Sequence, residues 1–225
     1  MYFISQGIRY GVANNKNELT VLGFGINQDS YEVIVPSELN GCKVTEIASN
    51  AFSENLHIHK IILPETITKI GEKAFYKCAN LKTIKINDSP NNMANIYIYQ
   101  KAFANCVQLE EFSCFRPIYL CGESAFCNCK CLITIVSCFM DILPQKTFDN
   151  CENLSRFYFC DKDLTITDTA FNGCLNLSEI FISEDFDEND VFLYQIKNCK
   201  IRCDKNSRYA SLAYHGYNIE IIEDD

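Results

Sequence analysis

The sequence lacks any run of lysine or arginine that could build a basic stripe. Its 20 Lys and Arg are outnumbered by 29 Asp and Glu, giving a formal net charge of -9. A nucleic-acid backbone is repelled by such a chain, so nucleic acid is not an expected partner. Long apolar runs are missing too. The longest, CLITIVSCFM, is about half of what a spanning helix needs, so membrane insertion is not expected. The opening residues, MYFISQGIRYGVANN, lack the basic region, apolar region and small-residue cleavage site of a secretory signal, so the sequence alone reads as intracellular.

The signatures of chemistry are also sparse. Histidine occurs at His57, His59 and His215 only, too few and too scattered for a triad; the His57-x-His59 pair reads as surface. No nucleophile elbow, phosphate-cradling glycine loop or dinucleotide fingerprint is present. No catalytic residue, cofactor or small-molecule substrate is therefore assigned, and an enzyme is not expected. DFDEND places Asp185, Asp187 and Asn189 at the first three ligand spacings of a calcium loop. Asp190 replaces the required glycine and Ile196 the final glutamate, so the segment reads as a solvated acidic turn. Sequons at Asn87, Asn153 and Asn176 matter only in an exported chain.

What the chain has is cysteine and periodicity. Fourteen Cys in a short secreted protein would suggest a disulfide framework. Here 225 residues, 48% of them hydrophobic, suffice for one domain with its own core. The dipeptide Ala-Phe recurs at Phe52, Phe75, Phe103, Phe126 and Phe171, with Thr147-Phe148 in the missing place. The Phe spacings are 23, 28, 23, 22 and 23 residues, and the surplus of the long one lies in NDSPNNMAN.

Five apolar columns align on these phenylalanines. Three residues on stand Asn55, Cys78, Cys106, Cys129, Cys151 and Cys174. Six on stand Ile58, Leu81, Leu109, Leu132, Leu154 and Leu177. Nine on stand Ile61, Ile84, Phe112, Ile135, Phe157 and Ile180. Eleven on stand Leu63, Ile86, Cys114, Ser137, Phe159 and Ile182. Five back stand Ile47, Ile70, Ile98, Cys121, Leu143 and Ile166. The positions nine and eleven on have the period of a short strand with one buried face. The spacings near three in Ala-Phe-x-x-Cys-x-x-Leu predict short helical turns on the opposite wall. One such unit cannot bury its apolar column; stacked units can, which predicts a solenoid.

The segment ITKIGEKAFYKCANLKTIKI (67–86) resembles the repeat of the BspA-like, or Treponema-type, leucine-rich repeat family. The resemblance covers about 44–183 and includes the lead-in VIVPSELNGCKVTEIASNAF. It implies a curved solenoid with a parallel β-sheet on its concave face and short helical turns or irregular segments on the convex one. Family members are described as surface or host-interaction proteins, so the resemblance points to the cell surface or secretion where the sequence alone points inside. Six repeats at 44–183 are expected between an N-terminal β cap (1–43) and a C-terminal cap (184–225). The latter would hold a helix from Ser207 to Gly216 and a strand at NIEII.

Two candidate sites follow. The outward positions of the concave sheet, eight and ten residues past each Phe, include Ile62, Val136, Tyr158 and Phe181, with Arg156 and Glu179 at the rim. Apolar and aromatic residues with no core role mark a protein-binding surface. The expected function is a non-catalytic module that binds a protein through that face. The alternative uses Cys127 and Cys131, which flank Cys129 in SAFCNCKCLI. These two thiols fall in variable or polar rows, are expected to be exposed, and could serve a thiol, metal-binding or redox role. Four converging ligands, as zinc needs, are not in view, so no metal site is assigned.

Overall fold

The structure is a computed structural model. It describes residues 2–13, 17–25, 30–88, 92, 94–114, 116–136, 142–159, 165–182, 199–204 and 218–222. The expected helix at 207–216, the acidic turn at 185–190 and Ser137 lie outside these residues.

Strand-period segments pair with the next repeat rather than with each other. The concave sheet runs through nine strands in order: β4 (Glu32–Ile34), β7 (Lys60–Pro64), β9 (Thr83–Asn87), β11 (Glu111–Ser113), β13 (Thr134–Val136), β15 (Arg156–Phe159), β17 (Glu179–Ile182), β18 (Lys200–Asp204) and β19 (Asn218–Ile222). All neighbours are parallel, and residues nine past each Phe face one another: Ile61 beside Ile84, Ile84 beside Phe112, Phe112 beside Ile135. β18 and β19 carry this sheet past residue 183, with Cys199 and Ile201 buried.

A second sheet forms another wall. It begins with β1 (Tyr2–Ser5), β2 (Ile8–Val12) and β3 (Glu18–Phe24), which pair antiparallel. It goes on in parallel through β6 (Cys42–Ile47), β8 (Lys69–Ile70), β10 (Ile96–Tyr99) and β12 (Ile118–Cys121), while β5 (Glu38–Leu39) pairs with β6. β14 (Ile142–Leu143) and β16 (Thr165–Ile166) form a separate parallel pair.

The core columns are buried as the periodicity requires. Ile58, Leu81, Leu109, Leu132 and Leu154 are fully enclosed, as are Ile47, Ile70, Ile98 and Leu143. One member differs. Cys121 is exposed, and Leu120 takes the core place by pairing with Ile98. This repeat holds one more residue between strand and phenylalanine, and a one-residue slip turns a side chain to the other face.

The third wall is not helical. Each repeat there is a chain of tight turns whose amides alternate in direction. The N–H groups of Ala51, Ser53 and Asn55 bond back to Ala48, Asn50 and Phe52, while those of Asn50, Phe52 and Glu54 bond to Glu72, Ala74 and Tyr76 of the next repeat. The same alternation recurs at Lys73–Cys78 and Lys101–Cys106. It needs left-handed backbone two residues before and two after the phenylalanine, at Asn50 and Glu54, Lys73 and Lys77, Lys101 and Asn105, Ser124 and Asn128, Lys146 and Asn150. Left-handed backbone is costly for side chains other than glycine, and the inter-repeat hydrogen bonds offset it. Spacing near three, which such turns share with a helix, is why the sequence suggested helical turns.

Inside the turns the phenylalanines stack. Ring centroids from Phe52 to Phe75, Phe103, Phe126, Phe148 and Phe171 lie 5.1 to 5.7 Å apart and nearly parallel. Phe112 and Phe157 meet this spine edge-on. Thr147, in the alanine place, donates its hydroxyl to Pro144 O at 2.7 Å and so is buried without an orphan group.

The long third repeat is closed by a buried ion pair. Arg116 Nε lies 2.6 Å from Asp88 Oδ1, and both side chains are fully enclosed. The guanidinium also donates to Ile67 O at 2.9 Å and Ala94 O at 3.4 Å, so it ties together three successive repeats. Asp88→Ala should destabilise by about 3–5 kcal/mol, because it strands a buried cation. Asp88→Leu with Arg116→Met should lose less than Asp88→Ala alone. Urea unfolding of the three proteins checks this; equal losses would mean the pair acts only through loop shape.

Candidate binding face

The register of the concave sheet builds two outward rows. One reads Glu32, Lys60, Thr83, Glu111, Thr134, Arg156, Glu179, Lys200, Asn218. The other reads Ile34, Ile62, Lys85, Ser113, Val136, Tyr158, Phe181, Arg202, Glu220. The backbone therefore brings Val136, Tyr158 and Phe181 onto adjacent strands. Tyr158 and Ile62 are half-buried and Arg156 is exposed; the side chains of Val136 and Phe181 lie outside the described set.

Ion pairs hold the two ends of this face. Lys60 meets Glu32 at 2.8 Å. At the other end Arg202 meets Glu179 at 3.4 Å and Glu220 at 2.8 Å, and Lys200 meets Glu220 at 3.0 Å. The Lys200 hydrogen bond and the charges of Lys200 and Arg202 hold the Glu220 carboxyl below its usual range. Glu179 is thus turned toward Arg202 and not toward Arg156. Arg156 has no ion partner among the described residues.

Sequence reasoning missed two features. Ile34 is 55% exposed and extends the apolar row before the first Ala-Phe repeat, and Tyr31, three residues earlier in the chain, stacks its ring on His59 at 4.1 Å. The alternation in YEVIVP carried that signal. On the second sheet Tyr97 and Tyr119 stack at 5.1 Å, and Lys69 lies 5.6 Å over Tyr99. The alternation in IYIYQ and PIYLC carried this one.

The thiols separate by environment. Cys78, Cys106, Cys129, Cys151 and Cys174 each donate to the carbonyl of the phenylalanine one repeat back, at 3.0 to 3.2 Å. That carbonyl also accepts an N–H of its own repeat, from Asn55 at Phe52 and from the column cysteine at the others. The column thiols are free, and burial raises the pKa of each. Asn55 heads the column and turns its Oδ1 to the N–H groups of His57 and Ile58 instead. Cys127 and Cys131 are half-buried rather than exposed. The Cys127 thiol lies 3.7 Å from Asp149 Oδ2, and burial with the nearby Asp149 charge pushes its pKa up to about 11. Among the described residues no cluster of His, Cys, Asp and Glu is placed to hold a metal, and no helix is long and apolar enough to cross a membrane.

Stacked parallel turns with a leucine or isoleucine column in each define a leucine-rich-repeat solenoid. The model of the BspA type leucine rich repeat region matches six copies, over residues 37–133 and 89–202, and the chain belongs to that family. Two solved structures share the fold. A leucine-rich repeat protein of Treponema pallidum is 16% identical, with a TM-score of 0.55 over all of both chains. One from Bacteroides ovatus is 18% identical, with a TM-score of 0.54 over 89% of this chain and 70% of that one. No curated protein matches the chain.

Alkylation of the native protein near neutral pH should label the exposed Cys121 at least about tenfold faster than the half-buried Cys127, whose thiol is held protonated at a pKa of about 11, since only the thiolate reacts. Cys106, Cys129 and Cys151 should react only after unfolding. Peptide mass mapping reads the order, and fast labelling of Cys127 would contradict its protonated state.

Proposed function

We propose that the chain is a non-catalytic recognition module that binds a protein partner through the concave sheet, centred on Ile62, Val136, Arg156, Tyr158, Glu179 and Phe181. The observation that carries this reading is the outward row that holds Ile34, Ile62, Val136, Tyr158 and Phe181 at positions the core does not use, with the polar Lys85 and Ser113 between Ile62 and Val136. Family membership supports it, since leucine-rich repeats are modules typical of protein interaction. The mechanism is burial of this row on a sheet already fixed by its neighbours, so little ordering cost is added on binding. The Arg156 guanidinium, which has no ion partner among the described residues, lies in the same strand as Tyr158 and supplies a directional contact, and Tyr and Arg are the residue types that dominate such interfaces.

A thiol function at Cys127 and Cys131 fits less well. The half-buried Cys127, held protonated beside Asp149, is a poor nucleophile and a poor soft-metal ligand.

A photo-reactive group at Ser113, in the same outward row, should cross-link the partner. Val136→Asp with Tyr158→Asp should cut that yield at least about tenfold, while circular dichroism and the melting temperature stay near the parent's, because outward sheet positions lie off the core. An unchanged cross-link from a folded double variant would remove this face from consideration.

A further inference from the structure

The edge strand β1 (Tyr2–Ser5) ends the second sheet; among the described residues no strand lies beyond it. Its hairpin with β2 turns through Gln6 (φ 48°) and Gly7 (φ 79°), both left-handed as a two-residue type I′ turn requires. Across such a turn the Ser5 carbonyl accepts from the Ile8 N–H, so Ser5 and Ile8 form a hydrogen-bonded pair. Antiparallel pairs alternate in type, and the register runs Ile4 to Arg9, Phe3 to Tyr10 and Tyr2 to Gly11. Phe3 therefore directs its N–H and C=O to β2, and Tyr2 and Ile4 direct theirs out of the edge.

The same two residues carry the exposed side chains. Tyr2 is 56% and Ile4 53% exposed, while Phe3 turns inward to stack on Tyr10 at 5.7 Å. β1 lacks three features that block edge pairing: it carries no charge, no proline, and no bulge in its register with β2.

We propose that β1 pairs antiparallel with β1 of a second copy about a two-fold axis beside Phe3, so that the second sheet runs unbroken through a dimer. The strand is self-complementary in one register. Hydrogen-bonded partners must be residues whose backbone points outward, which restricts pairing to Tyr2 and Ile4. Setting Tyr2 opposite Ile4 of the second copy, and Ile4 opposite its Tyr2, satisfies every one of those outward groups. It also keeps the exposed faces on one side of the joined sheet and places an aromatic ring against a β-branched side chain at each pair. Arg9 sits beside Ile4 and over its own Tyr2 ring at 5.9 Å, so no two cations are opposed across the joint. A closed two-fold contact of this kind uses one patch on both copies and stops at two.

Sedimentation velocity over a concentration series, in reducing buffer so that disulfide-linked species do not count, tests the pairing. The parent should show a monomer–dimer equilibrium. Ile4→Pro removes an outward N–H while leaving the bonds to β2 in place, and should weaken the dimer at least about tenfold. Tyr2→Lys, a change at an exposed side chain, should weaken it as well and stands in if Ile4→Pro disturbs the hairpin. Ile34→Lys, equally exposed but on the concave sheet, should leave it unchanged. A parent that stays monomeric throughout, or a dimer indifferent to both β1 variants, overturns the proposal.

Discussion

Everything in this solenoid depends on one constraint: each repeat must repeat its backbone path at the spacing of neighbouring strands. Strands impose a rise of about 4.8 Å through their hydrogen bonds. The turn wall has no strands, so the rise there is set by amides that bond alternately back along the chain and across to the next repeat. The phenylalanine stack sits between these walls at 5.1 to 5.7 Å, close to the same rise. A ring needs a neighbour on each face, and a turn needs a carbonyl on the next turn. Neither is supplied within a single repeat, so stability comes from adjacency.

The cysteine column follows from this constraint. The phenylalanine carbonyl points into a narrow interior space and accepts both an amide from its own repeat and a thiol from the next. A thiol is small enough for the space and is still a weak donor. An alanine would fill less and donate nothing; a serine would bring a stronger donor at a higher desolvation cost. Of the fourteen cysteines that invite a redox interpretation, the five of this column are a packing solution. Chemistry requires a thiolate, and burial holds these groups protonated.

The repeat, its five columns and the class of fold were legible because the phenylalanine-centred spacing is nearly invariant. What escaped the sequence is what breaks that spacing or does not disturb it. The slip that exposes Cys121 and buries Leu120 leaves two apolar residues side by side, and the pattern cannot say which one faces in. The turns of the third wall share the near-three spacing of helical residues, while their left-handed lysines and asparagines leave no apolar signal. The Asp88–Arg116 pair joins residues 28 apart through an irregular loop, and nothing in either residue's neighbourhood announces a fully buried charge. On the concave face the register puts Val136, Tyr158 and Phe181 on adjacent strands, with Ile62 separated from them by two strands, and the partner of Glu179 is Arg202, which lies on β18, a strand the six-repeat count did not include.

A solenoid separates its surfaces by function more sharply than a globular domain does. Faces are defined by side chains that point out of a sheet, and ends by backbone groups that lack a next repeat. Outward side chains of the concave face are free to vary because the rise is set by the strand backbone and the buried alternates. An end cannot vary so freely, since an unpaired strand edge must be covered, blocked or joined. At β1 the chain offers uncharged residues and outward backbone groups where a blocking charge or proline would otherwise stand. Joining two such ends would leave both concave sheets free. The two proposals for this chain therefore use different surfaces, one built from side chains and one from backbone, and neither competes with the other.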